Sequence, residues 1–121
     1  MDKFQEMWEQ QKAFMELLQA RRGFPSFPVD MTSKSGQKFL KSITHECMHE
    51  LFEANQTLKN SKDHRATDIK DFNREHYVEE LVDALHYFFE IAILSGVSME
   101  ELYSAYIEKG KTNMYRIESG Y

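Results

Sequence analysis

The chain has 121 residues and a formal net charge of −5 at pH 7. This length predicts a single domain over residues 1–121, and an acidic chain without a basic tract is not expected to bind nucleic acid. No apolar run approaches the roughly 20 residues of a membrane span, and the lone thiol of Cys47 fits a reducing compartment, so we expect a cytoplasmic protein without a membrane partner.

Long stretches of helical periodicity, separated by three clusters of glycine, proline or polar residues, predict an all-α fold. The expected helices cover about residues 2–22, 35–59, 74–95 and 98–117. Asn73 is the predicted N-cap of the third helix, Gly96 follows that helix as a predicted left-handed residue, and Ser98 with Glu101 forms a predicted capping box. Aromatic residues and seven methionines are abundant for so short a chain, which suggests apolar surface for a partner subunit.

The third helix carries the strongest signal of a functional site. Most of its positions from Tyr77 to Leu94 are apolar, which predicts a helix that is buried nearly all round. Glu80 and Asp83 interrupt this pattern and, being three residues apart, lie on one side of the helix. Two neighbouring buried carboxylates are very unfavourable without cations. Since the helix has no Lys or Arg after Arg74, the pair requires basic side chains from elsewhere or a metal ion.

The second helix has an acidic stripe of its own, formed by Glu46, Glu50 and Glu53 at four- and three-residue spacing. If the two helices pack antiparallel, their acidic stripes face one another, and such a cluster is unstable without a divalent metal. Ligation by oxygen alone favours magnesium, with manganese as the alternative, over zinc. Taken alone, the stripe on the second helix is more typical of a solvated face than of a site.

A competing motif overlaps this stripe, because residues 45–49 read H-E-x-x-H. On a helix, His45 and His49 would lie one turn apart to bind zinc, and Glu46 would act as the general base of a hydrolase. A zinc site needs a third ligand, and a protease usually needs an edge strand; the sequence points to neither. We therefore interpret Glu46 as an extra acid beside Glu50 and Glu53, and keep the zinc hydrolase as an alternative. A non-catalytic helical interaction module is the other alternative.

Two basic elements are candidates for phosphate binding. In the last helix, Lys111 and Arg116 can meet phosphate oxygens and Asn113 can donate a hydrogen bond; basic residues there also complement the helix dipole. In the connection between the second and third helices, Lys62, with Lys59 and Arg65, can form a second clamp. A solvated charged loop is the simpler interpretation of that connection.

These residues together resemble a known family. Glu50 and Glu53 form an ExxE pair, and Glu80 and Asp83 form an ExxD pair after a gap of 26 residues. This pattern resembles the all-α nucleoside triphosphate pyrophosphohydrolases, a superfamily that includes the MazG proteins, the dimeric dUTPases and the dCTP pyrophosphatases. The segment from Val82 to Phe88 looks like a segment of the dimeric dUTPase branch. The ending of the chain is similar to that of the same branch at Tyr106, Lys109, Lys111, Asn113, Arg116, Gly120 and Tyr121.

The resemblance implies a bundle of four to five helices that dimerises through its helices, a homotetramer being the alternative. It implies hydrolysis of a deoxynucleoside triphosphate, dUTP foremost and dCTP or a broader range next, to the monophosphate and pyrophosphate, as in cleaning of the nucleotide pool. Two or three Mg²⁺ ions (or Mn²⁺) would bind the two acid pairs, and Glu53, or else Glu50, would activate the attacking water. The expected substrate-binding residues are Gln11, which would read the base, and Lys62, Lys111, Asn113 and Arg116. The connection after the second helix has no tryptophan, which leaves the base preference open, and so short a chain would suit a phage.

Overall fold

A computed structural model describes residues 1–69 and 71–120, so Tyr121, the last residue of the tail pattern, lies outside the described residues. Within that range the chain has no strand and forms four α-helices: α1 (Lys3–Arg22), α2 (Lys34–Gln56), α3 (Arg74–Leu94) and α4 (Met99–Glu118). The predicted all-α class is confirmed. Among the described residues, no single helix is long and apolar enough to cross a membrane. Only α3 and α4 taken together, as a bent pair, have the length and apolar composition of a possible span. The cytoplasmic location stays a prediction.

The helix starts follow from side chains that cap free backbone N–H groups. Asn73 Oδ1 accepts from the backbone N–H of His76 at 3.1 Å, and Ser98 Oγ accepts from that of Glu101 at 3.1 Å, which confirms both predicted N-caps. Gly96 has the expected positive φ, +79°. Ser33 caps α2 in the same way, accepting from Gly36 at 3.0 Å.

The predicted end of α2 near Lys59 is wrong, because the helix ends at Gln56. Thr57 terminates it: both its backbone N–H and its hydroxyl bond the carbonyl of Ala54, at 3.1 and 2.7 Å. These bonds tighten the final turn. They also satisfy the Ala54 carbonyl, which in a longer helix would accept from the backbone N–H four residues later. Residues 58 and 59 are therefore free to leave the helix axis.

The chain divides into two compact units, and the prediction of a single domain remains a prediction. The terminal unit comprises Met1–Val29 and Ala92–Tyr121. Its buried side chains include Trp8, Gln11 and Met15 of α1 and Leu94 at the end of α3. The backbone N–H of Val29 donates to the carbonyl of Leu94 at 2.8 Å, which fixes the segment after α1 against the end of α3.

The central unit comprises Asp30–Ile91 and contains α2 and most of α3. Cys47 is buried between these helices, where its Sγ donates to the carbonyl of Ala84 at 3.3 Å, and its predicted place in the core is confirmed. The prediction that α3 is buried nearly all round is wrong. One row of its apolar side chains is 38–47% exposed: Val78, Leu81, Val82, Leu85 and Phe88. The reason is that the described part of this unit offers α3 a single helix, α2, to pack against, so one face stays uncovered.

Gly36, in the first turn of α2, gives a test of this local packing. A Cβ at this position would overlap the backbone carbonyl of Asp30, so Gly36→Ala must displace backbone. We expect it to destabilise the protein by about 1–3 kcal/mol, measured as a lower midpoint in chemical or thermal unfolding. Gly110→Ala in α4 is the matched control, because a Cβ there would have no atom within 4 Å; it should stabilise by about 0.5–1 kcal/mol. Equal effects of the two changes would contradict the close approach at Gly36.

Candidate functional site

Carboxylates from α2 and α3 converge in the central unit. Oxygen atoms of Glu50, Glu80 and Asp83 all lie within 4.8 Å of one another, and these residues form the one group of three or more possible metal ligands found among residues 1–69 and 71–120. The helical spacing predicted a meeting of the two acid pairs, and the structure brings three of their four members into one set. Their roles as ligands stay a prediction.

The environment of Glu80 fits a bound cation. The residue is buried, with 9% of its surface exposed, and its Oε2 atom has no hydrogen-bond partner among residues 1–69 and 71–120. A buried carboxylate oxygen without a partner is costly, and a metal ion would satisfy it. Three carboxylates and no nitrogen or sulfur donor form a set that suits Mg²⁺ or Mn²⁺.

The acids of the cluster differ in their affinity for protons. The pKa of Glu50 is raised to about 7, first because burial disfavours its charged form, then through its hydrogen bond with Glu80 and through the charges of Glu53 and Asp83. Glu53 behaves in the opposite way: hydrogen bonds from Glu80 and then Glu50, together with the adjacent His49, hold its pKa below the ordinary value. Without a cation, Glu50 therefore takes up a proton more readily than Glu53.

Two histidines each lie one helical turn before an acidic residue of the site on the same helix. His49 Nε2 lies 2.9 Å from Glu53 Oε1, within hydrogen-bond distance. His76 Nε2 lies 3.7 Å from Glu80 Oε1, which is too long for a hydrogen bond. Only the first of these pairs is a direct contact.

An open groove of about 520 Å³ adjoins the cluster, because Glu80 belongs to the cluster and lines the groove together with Glu53. Lys59 is the one basic Lys or Arg side chain among the described residues that line it, whereas the predicted Lys62 does not line it. The early end of α2 explains this, since Lys59 follows closely on Thr57. The other lining residues are Gln56, Thr57, Asp71, Asn73 and His76. Sequence reasoning missed Gln56 and Thr57 as lining residues, although they follow Glu53 at three- and four-residue spacing.

A protein-family model described as dUTPase matches residues 9–121. The chain belongs to the dUTPase family. No curated protein and no solved structure matches it. Membership supports a nucleotide pyrophosphohydrolase activity and agrees with the predicted resemblance. The family generally uses a divalent metal, and the cluster of Glu50, Glu80 and Asp83 is suited to hold one.

The remaining predicted substrate residues of this dUTPase-family chain lie in the terminal unit, and their roles stay predictions. Gln11 of α1 is 2% exposed and makes contacts of its own. On α4, Lys111 pairs with Glu108 at 3.5 Å between two exposed side chains, and Arg116 is half-buried. Asn113 lines a groove of about 400 Å³ along the same helix.

The H-E-x-x-H motif gains no support as a zinc centre in the dUTPase-family chain. The described residues bring no third ligand to His45 and His49. The Nε2 atom of His49 is instead occupied by Glu53.

Glu90 is a buried acid that sequence reasoning missed. It is 4% exposed, and burial raises its pKa to about 7. Glu80, Asp83, Tyr87 and Glu90 follow one another at three- and four-residue spacing, so they share a face of α3. Burial, and then the charges of Glu46, Glu90, Glu50 and Asp83, raise the pKa of Tyr87, which shows that the acidic stripe continues past the cluster. The spacing from Asp83 to Glu90 was the signal in the sequence.

The burial of Glu90 predicts a pH-dependent loss of stability. Its pKa is about 7 in the folded chain against 4.5 as the ordinary value, so the folded state holds the extra proton between these limits. The contribution of Glu90 to stability therefore falls as pH rises from 4.5 to 7, by up to about 3 kcal/mol. Glu90→Gln should raise the melting temperature more at pH 8 than at pH 5, as measured by calorimetry.

The control is Glu16→Gln, which removes an exposed acid from α1. Its effect on the melting temperature should be similar at the two pH values. A Glu90→Gln effect that is the same at pH 5 and pH 8 would show that the Glu90 carboxyl is solvated.

Proposed function

We propose that this protein hydrolyses a deoxynucleoside triphosphate, dUTP foremost, to the monophosphate and pyrophosphate, with Mg²⁺ as the cofactor. The observation that carries the proposal is the convergence of Glu50, Glu80 and Asp83, together with a buried Glu80 Oε2 that has no hydrogen-bond partner among the described residues. Membership in the dUTPase family supports the class of reaction and substrate. Mn²⁺ is the alternative metal, and dCTP or a broader range of bases is the alternative substrate.

The acidic residues of the site have two different proposed roles, metal binding and proton acceptance. Glu50, Glu80 and Asp83 would hold the metal, with Glu53 at the edge of the set. When bound, the metal neutralises the triphosphate and lowers the pKa of a coordinated water. Glu53, the acid with a lowered pKa, accepts a proton from the attacking water. The water oxygen bonds to the α-phosphorus, the bond from that phosphorus to the bridging oxygen breaks, and pyrophosphate leaves.

The groove beside the cluster is a suitable place for the leaving pyrophosphate. It is open, it shares Glu80 with the cluster, and Glu53 and Lys59 also line it, Lys59 supplying a positive charge. Of the three basic residues that the sequence offered as a clamp, Lys59, Lys62 and Arg65, we assign the phosphate contact to Lys59. Lys111, Asn113 and Arg116 remain the proposed phosphate or sugar contacts of α4, and Gln11 the proposed base contact of α1.

Replacing single carboxylates tests the proposed reaction. The wild type should release pyrophosphate from dUTP with Mg²⁺, and Glu53→Gln should lower kcat at least about 100-fold, because the group that accepts the proton is lost. Asp83→Asn should lose activity to a similar extent, because a ligand of the set is neutralised. Pyrophosphate release from a panel of deoxynucleoside and ribonucleoside triphosphates is the measurement.

Glu79→Gln is the matched control for these variants. It removes the same charge from the neighbour of Glu80, but its side chain is exposed and outside the cluster. Its kcat should stay within about two-fold of the wild type, as for a surface acid. A wild type that releases no pyrophosphate from any of the triphosphates would contradict the proposed function and favour the non-catalytic module.

We also propose that the active protein is a homodimer, with a homotetramer as the alternative. The uncovered row of α3 (Val78, Leu81, Val82, Leu85 and Phe88) supports this, together with the exposed Met48, Leu51 and Phe52 of α2 in the same unit. Exposed apolar rows of this kind usually mark a surface that another chain covers. A second copy of the chain would cover the row symmetrically.

A charge placed in this row tests the proposed dimer. Val82→Glu should convert the protein to a monomer in sedimentation velocity, because a buried unpaired carboxylate is strongly disfavoured at an interface. Ile69→Glu, at an exposed apolar residue outside both helices, should leave the assembly unchanged. A Val82→Glu protein that sediments like the wild type would contradict this surface as the interface.

A further inference from the structure

The contact between His49 and Glu53 suggests a role for the histidine in the site. The Nε2 atom of His49 lies 2.9 Å from Glu53 Oε1, and the two residues are four apart on α2. Since a carboxylate oxygen can only accept, the imidazole must carry a proton on Nε2 to make this bond. The bond therefore occupies Oε1 of Glu53.

The contact is particular to His49 among the histidines near the acidic stripes. His76 is placed in the same way relative to Glu80 but remains at 3.7 Å. The side chain of His45, one turn before His49, has no hydrogen bond or ion pair with any residue of the described ranges 1–69 and 71–120. Helical spacing alone therefore does not produce the bond.

Glu53 also differs in position from the other acids. Glu50, Glu80 and Asp83 form the compact set within 4.8 Å, while Glu53 stands beside them and lines the open groove. With 38% of its side chain exposed, Glu53 has room to rotate about its terminal torsion unless it is held. A carboxylate that must take a proton from one water needs a fixed direction.

We propose that His49 is a positioning residue, which holds Glu53 Oε1 so that Oε2 faces the attacking water. The inference rests on the proposed hydrolysis and adds to it a residue that does not touch the substrate. The histidine of the H-E-x-x-H motif then serves as a hydrogen-bond donor to a glutamate.

The kinetic test compares His49→Ala with His49→Gln, whose side-chain amide can also donate to Glu53. His49→Ala should lower kcat for dUTP about 10- to 100-fold, the usual cost of losing a partner that orients a site residue. KM and the Mg²⁺ concentration for half-maximal activity should stay within about two-fold, because the compact set is intact. His49→Gln should recover most of the lost kcat. His45→Ala is the matched control on the same helix and should behave as the wild type.

The possible results separate the two proposals. A wild type that releases no pyrophosphate contradicts the proposed function. An active wild type with an unimpaired His49→Ala contradicts the positioning role alone. The role is also contradicted if His45→Ala loses as much activity, if His49→Gln is as slow as His49→Ala, or if the loss appears in KM or in the Mg²⁺ requirement.

A spectroscopic test needs no turnover. In metal-free protein, long-range ¹H–¹⁵N spectra should show the His49 proton on Nε2, and Glu53→Gln should shift the His49 ring nitrogens while leaving those of His45 unchanged. If Glu53→Gln leaves the His49 ring nitrogen shifts unchanged, the contact is absent in solution and the positioning role is contradicted.

Discussion

Repulsion between carboxylates that the fold forces together is the constraint on which the rest of the central unit depends. Glu50, Glu80 and Asp83 meet within 4.8 Å, and one oxygen of the buried Glu80 has no hydrogen-bond partner in the part of the chain that the structure describes. Like charges so close in a medium of low polarity must be relieved by a proton or a cation. The raised pKa of Glu50 shows the first form of relief. A divalent metal is the second, and it replaces that proton with a charge that can act on phosphates.

The close approach of α2 and α3 makes this meeting possible. Ala54 and Ala84 are buried and directly follow Glu53 and Asp83 in the chain. The distance between packed helices depends on the size of the side chains at the contact, so two alanines beside the acids allow the helix backbones to come near. The bond from Cys47 Sγ to the Ala84 carbonyl joins the helices at this level. Apolar packing thus offsets the electrostatic cost of the cluster.

The two faces of α3 have separate tasks in the proposed function. Glu80, Asp83, Tyr87 and Glu90 follow one another along one face, and the exposed apolar row from Val78 to Phe88 follows another. A second copy that covered the apolar row would leave the acidic face open to a nucleotide. Assembly and catalysis would then use different surfaces of the same helix, which explains why a helix so rich in apolar residues carries so many acids.

The sequence by itself determined the features that depend on neighbours within one turn of helix. Asn73, Ser98 and Gly96 marked helix ends correctly because capping is a local interaction, and the spacing of Glu50, Glu53, Glu80 and Asp83 fixed which acids share a face. Tertiary structure decided what depends on distant residues. Tertiary packing left one apolar row of α3 exposed and buried Glu90. The early end of α2 at Gln56 placed Lys59, and not Lys62, at the groove. Periodicity gives the direction of a side chain from its helix, but burial depends on what the rest of the chain brings against that face.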